Sequence, residues 1–249
     1  MSSRFAAVSA GLLSASLFLF GCGKPDPAKR YVRPEQVMDF GRLFGKNCSG
    51  CHGMDGQLGP APPLNDTLFQ AIVTDEQLRD VIQRGRAGTL MPAFGRANGG
   101  PLTDEQIHLL VQGIREQWER PDANLPKDLP AYQVSFDDPA GLAGANVAQG
   151  KRVFAEACAG CHGDSGSGGT AGAIADRSLG RLLSDQLLRR IVITGRADLD
   201  MPNYALCGEQ SPLKRPLTDN QIRDVCAYVR SLQSMTADNS KVQASVSTP

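Results

Sequence analysis

Aromatic side chains are scarce in this chain: nine Phe, four Tyr and one Trp among 249 residues. Charge of one sign is absent, with 26 basic against 26 acidic residues. A zero balance argues against a nucleic-acid binder, which carries a basic excess. Seven Cys are too few for a disulfide scaffold of this length. Glycine and proline are plentiful instead, at 27 and 16. Domains of that composition have thin cores, so something other than side chains is expected to fill the interior.

Residues 1–22 read as an export signal rather than as part of the fold. Arg4 precedes an apolar, small-residue stretch from Phe5 to Phe20. The ending Leu19-Phe20-Gly21-Cys22 resembles the lipobox of bacterial lipoproteins, in which the Cys is acylated and becomes the first mature residue. The alternative is an uncleaved anchor helix, for which the stretch is near the lower length limit. Either reading places the rest of the chain outside the cytoplasm, where unprotected thiols oxidise.

The strongest signal is internal repetition. Cys48-Ser49-Gly50-Cys51-His52 recurs as Cys158-Ala159-Gly160-Cys161-His162, an offset of 110. Phe44 maps to Phe154, Gly56 to Gly166 and Asp75 to Asp185 at the same offset. Gly85-Arg86-Ala87 maps to Gly195-Arg196-Ala197, and Met91-Pro92 to Met201-Pro202. Pro101 to Asp104 matches Pro216 to Asp219 at 115, so five residues are inserted after the second Met. The expected organisation is a tether at 23–33, a first domain at 34–120, a Pro-rich linker at 121–145, a second domain at 146–233 and a disordered polar tail at 234–249.

Each copy reads as helices joined by Gly/Pro loops, an all-α class. Val37, Phe40, Phe44 and Cys48 share one helical face. Thr74 to Gln77 and Thr103 to Gln106 are capping boxes, and Gly85 ends the helix that the first one opens. Thr218 to Gln221 repeats the second box ahead of Ile222, Val225, Cys226, Val229 and Leu232. Domains of about 90 residues with so few apolar groups are marginal unless something is added.

A Cys-x-x-Cys-His run has three readings. A thioredoxin-like pair would follow a strand in a βαβ pattern, but here the run ends a helix. Zinc requires four ligands, and two Cys with an adjacent His do not readily close one tetrahedron. The remaining reading is c-type haem attachment. Cys48 and Cys51, then Cys158 and Cys161, add to the vinyl groups, and His52 and His162 lie beneath the irons. Met91 and Met201 each follow their His by 39 residues and precede a Pro. They are the two of six Met at equivalent places in the repeat, and are expected to be the opposite axial ligands. His108 corresponds to Arg223 and is expected to be a solvated position.

With these motifs the chain resembles the class I cytochrome c family, as a tandem dihaem member covering about 34–120 and 146–233. The resemblance implies two small helical domains, each around one covalent haem, with a terminal helix packed across the first helix. It also implies that Gly59-Pro60 presents a backbone carbonyl to the His52 ring. The family's terminal-helix aromatic is matched by Tyr228 but replaced by Gly113 in the first copy, a gap Trp118 could fill. The haem answers the thin core and should be needed for folding, as structural metals are.

His/Met ligation fills both axial positions and raises the potential, which suits electron transfer. The expected function is a membrane-tethered dihaem carrier, or complex subunit, on the periplasmic side of the membrane. Donors would be a quinol-oxidising complex or a dehydrogenase; acceptors would be a terminal oxidase or another cytochrome. The competing reading is a dihaem peroxidase, which needs one haem able to lose its sixth ligand. Cys207 and Cys226 remain once the lipid and haem cysteines are assigned. Cys207 sits in the inserted loop and Cys226 on the apolar face of the last helix, so a disulfide between them is expected. A buried thiol is the alternative for Cys226 alone.

Overall fold

Among the described residues, every helix of eight or more residues starts at a residue that caps it. The computed structural model describes residues 31–57, 59, 61–135, 137–206 and 212–246. In the first copy, α1 (Phe40–Asn47) is capped by Asp39, and α2 (Ser49–His52) carries the second Cys and the His. The short α3 (Thr67–Ile72) is capped by Asp66. Both expected capping boxes are present, opening α4 (Asp75–Arg84) at Thr74 and α5 (Asp104–Trp118) at Thr103. The second copy repeats the series as α6 (Val147–Ala157), α7 (Ala159–His162), α8 (Arg177–Leu182), α9 (Asp185–Thr194) and α10 (Asp219–Val246). No strand occurs among the described residues; two isolated bridges, Gly95 with Leu102 and Arg196 with Met201, are the extended pairings.

In each copy the last helix crosses the first, and the crossing is built from one large and one small residue. In the second copy the small partner is Gly150 on α6: a Cβ there would lie 2.0 Å from the carbonyl oxygen of Asp224. The large partner is Tyr228, whose ring packs edge-on to Phe154 at 5.3 Å. In the first copy the sizes are exchanged. Gly113 on α5 is so close to α1 that a Cβ would lie 2.1 Å from the Phe40 ring. Phe40, at the position equivalent to Gly150, fills the space that Tyr228 fills in the other copy, stacking on Phe44 at 5.4 Å and meeting Trp118 edge-on at 6.2 Å. The gap left by Gly113 is therefore filled chiefly from α1, with Trp118 beside it.

An arginine of the last helix ties each copy together. Arg115 donates to the carbonyls of Gln70 and Val73 at the end of α3, at 2.6 Å each, and pairs with Asp75 at 2.7 Å. Arg230 repeats the clamp on Gly180, Leu183 and Asp185. Short helices leave carbonyls unpaired at their C-termini, and the guanidinium fork collects two of them at once.

Among the described residues of 121–145 there is no helix or strand, yet the segment is packed. Tyr132 and Ala140 are fully buried. The Tyr132 ring meets Phe69 edge-on at 5.7 Å, its hydroxyl accepts from Arg86, and its carbonyl accepts from Gln186 of α9. The Ala131 carbonyl accepts from Arg189 at 3.0 and 2.9 Å. Leu68 of α3 belongs to the hydrophobic core of the second copy. The two copies thus share one packed unit from Val37 onward. α10 runs to Val246, so the backbone is helical over much of the tail expected to be disordered. The segment contains no Gly or Pro between 219 and 246 to stop it.

Candidate functional site

Both motifs sit at the junction of two helices. Cys48 is the residue at which α1 ends and α2 begins, its carbonyl accepting from Cys51 and His52 at 3.1 and 3.0 Å. Cys158 does the same for Cys161 and His162, at 3.2 and 3.0 Å. This single turn puts two thiols and the imidazole on neighbouring positions, with Cys48 and Cys158 half-buried and Cys51 and Cys161 exposed. Burial, then the neighbouring sulfur, disfavours a thiolate at Cys48 and Cys158. Among the described residues, no three His, Cys, Asp or Glu converge on a common point.

The loop after each motif folds back onto it. Gly59 and Gly169 are so near the Cys51 and Cys161 carbonyl oxygens that a Cβ would lie 2.0 and 2.7 Å away. Ala61 and Ala171 donate to those same carbonyls at 3.1 and 2.9 Å. Gly59 thus serves close approach. The carbonyl offered to the histidine comes from further on: Nδ1 of His162 lies 2.9 Å from the Gly172 oxygen. The equivalent carbonyl in the first copy, that of Pro62, favours the protonated His52 ring, yet Nδ1 closes no hydrogen bond. Of the expected Gly59-Pro60 pair, Pro60 lies outside the described residues. Burial lowers His52 to about 4, with the Arg190 charge adding to the effect.

The methionines are fastened to the ends of α4 and α9. The Met91 carbonyl accepts from Arg86 at 2.9 Å, and the Met201 carbonyl from Arg196 at 3.0 Å. Gly85 and Gly195 make the approach possible. Both have positive φ, and a Cβ at either would lie 2.5 Å from the Met-Pro backbone. Met201 packs against the second core, and both methionines are half-buried. His108 is exposed, 3.4 Å from Arg79, as expected of a solvated position. Cys226 is a fully buried free thiol that burial pushes up to about 12. Cys22 and Cys207 lie outside the described residues.

Comparison with known proteins agrees with the doubled construction. The family described as Cytochrome C oxidase, cbb3-type, subunit III matches residues 35–112, and the family Cytochrome c matches residues 147–233. The chain belongs to the c-type cytochromes. It carries two cytochrome c domains and hence two covalently bound haem c groups. The cytochrome is 32% identical over 204 residues to a cbb3-type cytochrome c oxidase subunit CcoP of Azospirillum sp. (strain B510), covering 78% of this chain and 56% of that one. It is 29% identical to a CcoP of Rubrivivax gelatinosus, over 57% of this chain and 39% of that one. It is 31% identical to a subunit FixP of Bradyrhizobium diazoefficiens, over 51% and 39%. The chain thus spans only about 40 to 56% of the length of these relatives. Arg115, Arg230, Arg190 and Tyr132 support the sites and were not identified from the sequence. The repeat at 115 already paired Arg115 with Arg230, and the repeat at 110 paired Asp75 with Asp185, which was the available signal.

Proposed function

We propose that this cytochrome passes single electrons between redox proteins on the periplasmic side of the membrane, and that a cbb3-type oxidase, the complex named for its relatives, is the destination. Cys48, Cys51, Cys158 and Cys161 hold the two haems; His52 with Met91, and His162 with Met201, take the axial positions. Haem supplies the redox couple, while the protein fixes the ligands and keeps water from the iron. The observation that carries the reading is the fastening that both Met-Pro segments share, each Met carbonyl accepting from the backbone N–H of the arginine after a positive-φ glycine. Two sites built alike suit two electron-transfer haems better than an open catalytic haem beside a closed one. No observation favours the peroxidase reading.

A lipid on Cys22 would tether the chain; no helix among the described residues is long and apolar enough to cross a membrane. The intact mass of protein made in an exporting bacterium should show two haems and a diacylated Cys22. A mass retaining residues 1–21 would overturn the lipid anchor. Met91→Ala and Met201→Ala should each lower the potential of a different haem and open it to cyanide, because the thioether is lost. A wild-type spectrum and potential in either variant would make that Met a core residue instead.

A further inference from the structure

The two methionine loops share one backbone fastening but differ in what holds the arginine that makes it. In the second domain the loop is self-contained. The Met201 N–H returns a bond to the Arg196 carbonyl at 3.0 Å. Nε and Nη2 of Arg196 both donate to Asp198 in the same loop, at 2.8 and 2.6 Å. In the first domain these extra ties are replaced. Gly88 stands at the place of Asp198, at the offset of 110. The Met91 N–H turns to the Thr89 hydroxyl at 3.2 Å. The Arg86 side chain leaves its own loop and donates to the hydroxyl of Tyr132.

Tyr132 belongs to the segment between the domains, and the second domain holds its backbone. Gln186 of α9 donates to the Tyr132 carbonyl, and Arg189 of α9 donates to the neighbouring Ala131 carbonyl at 3.0 and 2.9 Å. Gln186, Arg189 and Tyr132 are all buried. The Tyr132 ring is fixed edge-on against Phe69 at 5.7 Å, which leaves its hydroxyl little freedom. A hydrogen bond in such a low-dielectric setting is stronger than the same bond in water. A continuous series of contacts therefore runs from α9 through Tyr132 to the Arg86 side chain. It ends at the Arg86 N–H, 2.9 Å from the Met91 carbonyl.

We propose that Tyr132 is a positioning residue for Met91: docking of the second domain, transmitted through Tyr132 and Arg86, keeps the first haem's methionine seated, whereas Met201 is seated by its own loop. The inference rests on the assignment of Met91 and Met201 as the sixth ligands. An external ligand reaches the iron only while the methionine is off, so its apparent affinity rises in proportion to the open fraction. Removing the Tyr132 hydroxyl takes away the brace and leaves the ring packing in place. The first haem then opens more often, and the second does not.

The test is optical cyanide titration of the ferric holoprotein in two backgrounds. In Met201→Ala, cyanide fills the second haem first, and the later phase reports the first haem. In Met91→Ala the later phase reports the second haem. Tyr132→Phe should strengthen the later phase in Met201→Ala by about three- to tenfold, the worth of one hydrogen bond. It should also weaken the far-red absorption band that thioether ligation gives the ferric first haem. The later phase in Met91→Ala should not move. Gln186→Met, a change in the second domain alone, should act on the first haem in the same way. Tyr132→Phe added to Arg86→Met should change nothing further, because both remove the same bond. Should Gln186→Met fail to yield holoprotein, Tyr132→Phe decides. An unmoved first haem in Tyr132→Phe, equal shifts at both haems, or full additivity with Arg86→Met would overturn the proposal. The lack of an early, tight phase in either background would overturn the methionine assignment and the inference with it.

Discussion

Gly85 and Gly195 decide whether the methionines can reach their places. Each has a backbone conformation that an L side chain rarely adopts, and each would drive a Cβ into the Met-Pro backbone. Gly85→Ala and Gly195→Ala should therefore displace Met91 and Met201 respectively. With Met91 and Met201 as the sixth ligands proposed above, the affected haem should lose part of its thioether ligation and bind cyanide more readily than in the native protein, with the other haem unchanged. Equal cyanide affinity at both haems in both variants would refute this. The exchanged pair at the helix crossings has its own signature. Gly113→Ala and Gly150→Ala should each cost about 1–3 kcal/mol from overpacking, the second more because it meets backbone rather than a ring. Combining Gly113→Ala with Phe40→Leu should recover part of the first loss, while Phe40→Leu should recover nothing of the second. Chemical unfolding of the holoprotein measures all four.

Apart from the single turns α2 and α7, the shortest α-helices are α3 and α8, at six residues each. Their C-terminal carbonyls depend on Arg115 and Arg230. Arg115→Met should cost about 1–3 kcal/mol for each carbonyl left unpaired. Asp75→Asn should cost no more than about 1 kcal/mol, because Asp75 is 65% exposed and exposed ion pairs contribute little. Equal losses in the two variants would show that the ion pair, not the carbonyl clamp, is what matters. At α10, we propose that Cys226 is oxidised with Cys207 once the protein is exported. Leu206, the residue before Cys207, packs against the core that contains Cys226. Closing that loop should contribute about 3 kcal/mol through the unfolded state. Denatured protein should show no reactive thiol before reduction and two after it. Two before reduction would leave Cys226 as the buried thiol the structure contains.

In the whole molecule, the two domains and the segment between them behave as one packed unit. Tyr132 is held from both sides, by Phe69 and Arg86 of the first domain and Gln186 of the second. The native holoprotein should unfold in a single calorimetric transition. Tyr132→Ala, which removes a fully buried ring, should cost about 3–5 kcal/mol by analogy with other buried aromatics and split the transition in two. A single sharp transition in that variant would show that the α3–α9 contact alone couples the domains. The repeat, both capping boxes, the all-α class and the position of each haem motif were legible in the sequence, because caps and ligand spacings are local. A helix face and a Cys-x-x-Cys-His turn are set by neighbours a few residues apart. The exchange of Phe40 and Gly113 for Gly150 and Tyr228, the Gly172 carbonyl beside His162, the packing of Tyr132 and the contact of Arg190 with Phe69 were not. Each joins residues far apart in the chain, and only the packed structure brings such groups close enough for size, hydrogen bonding and charge to act between them.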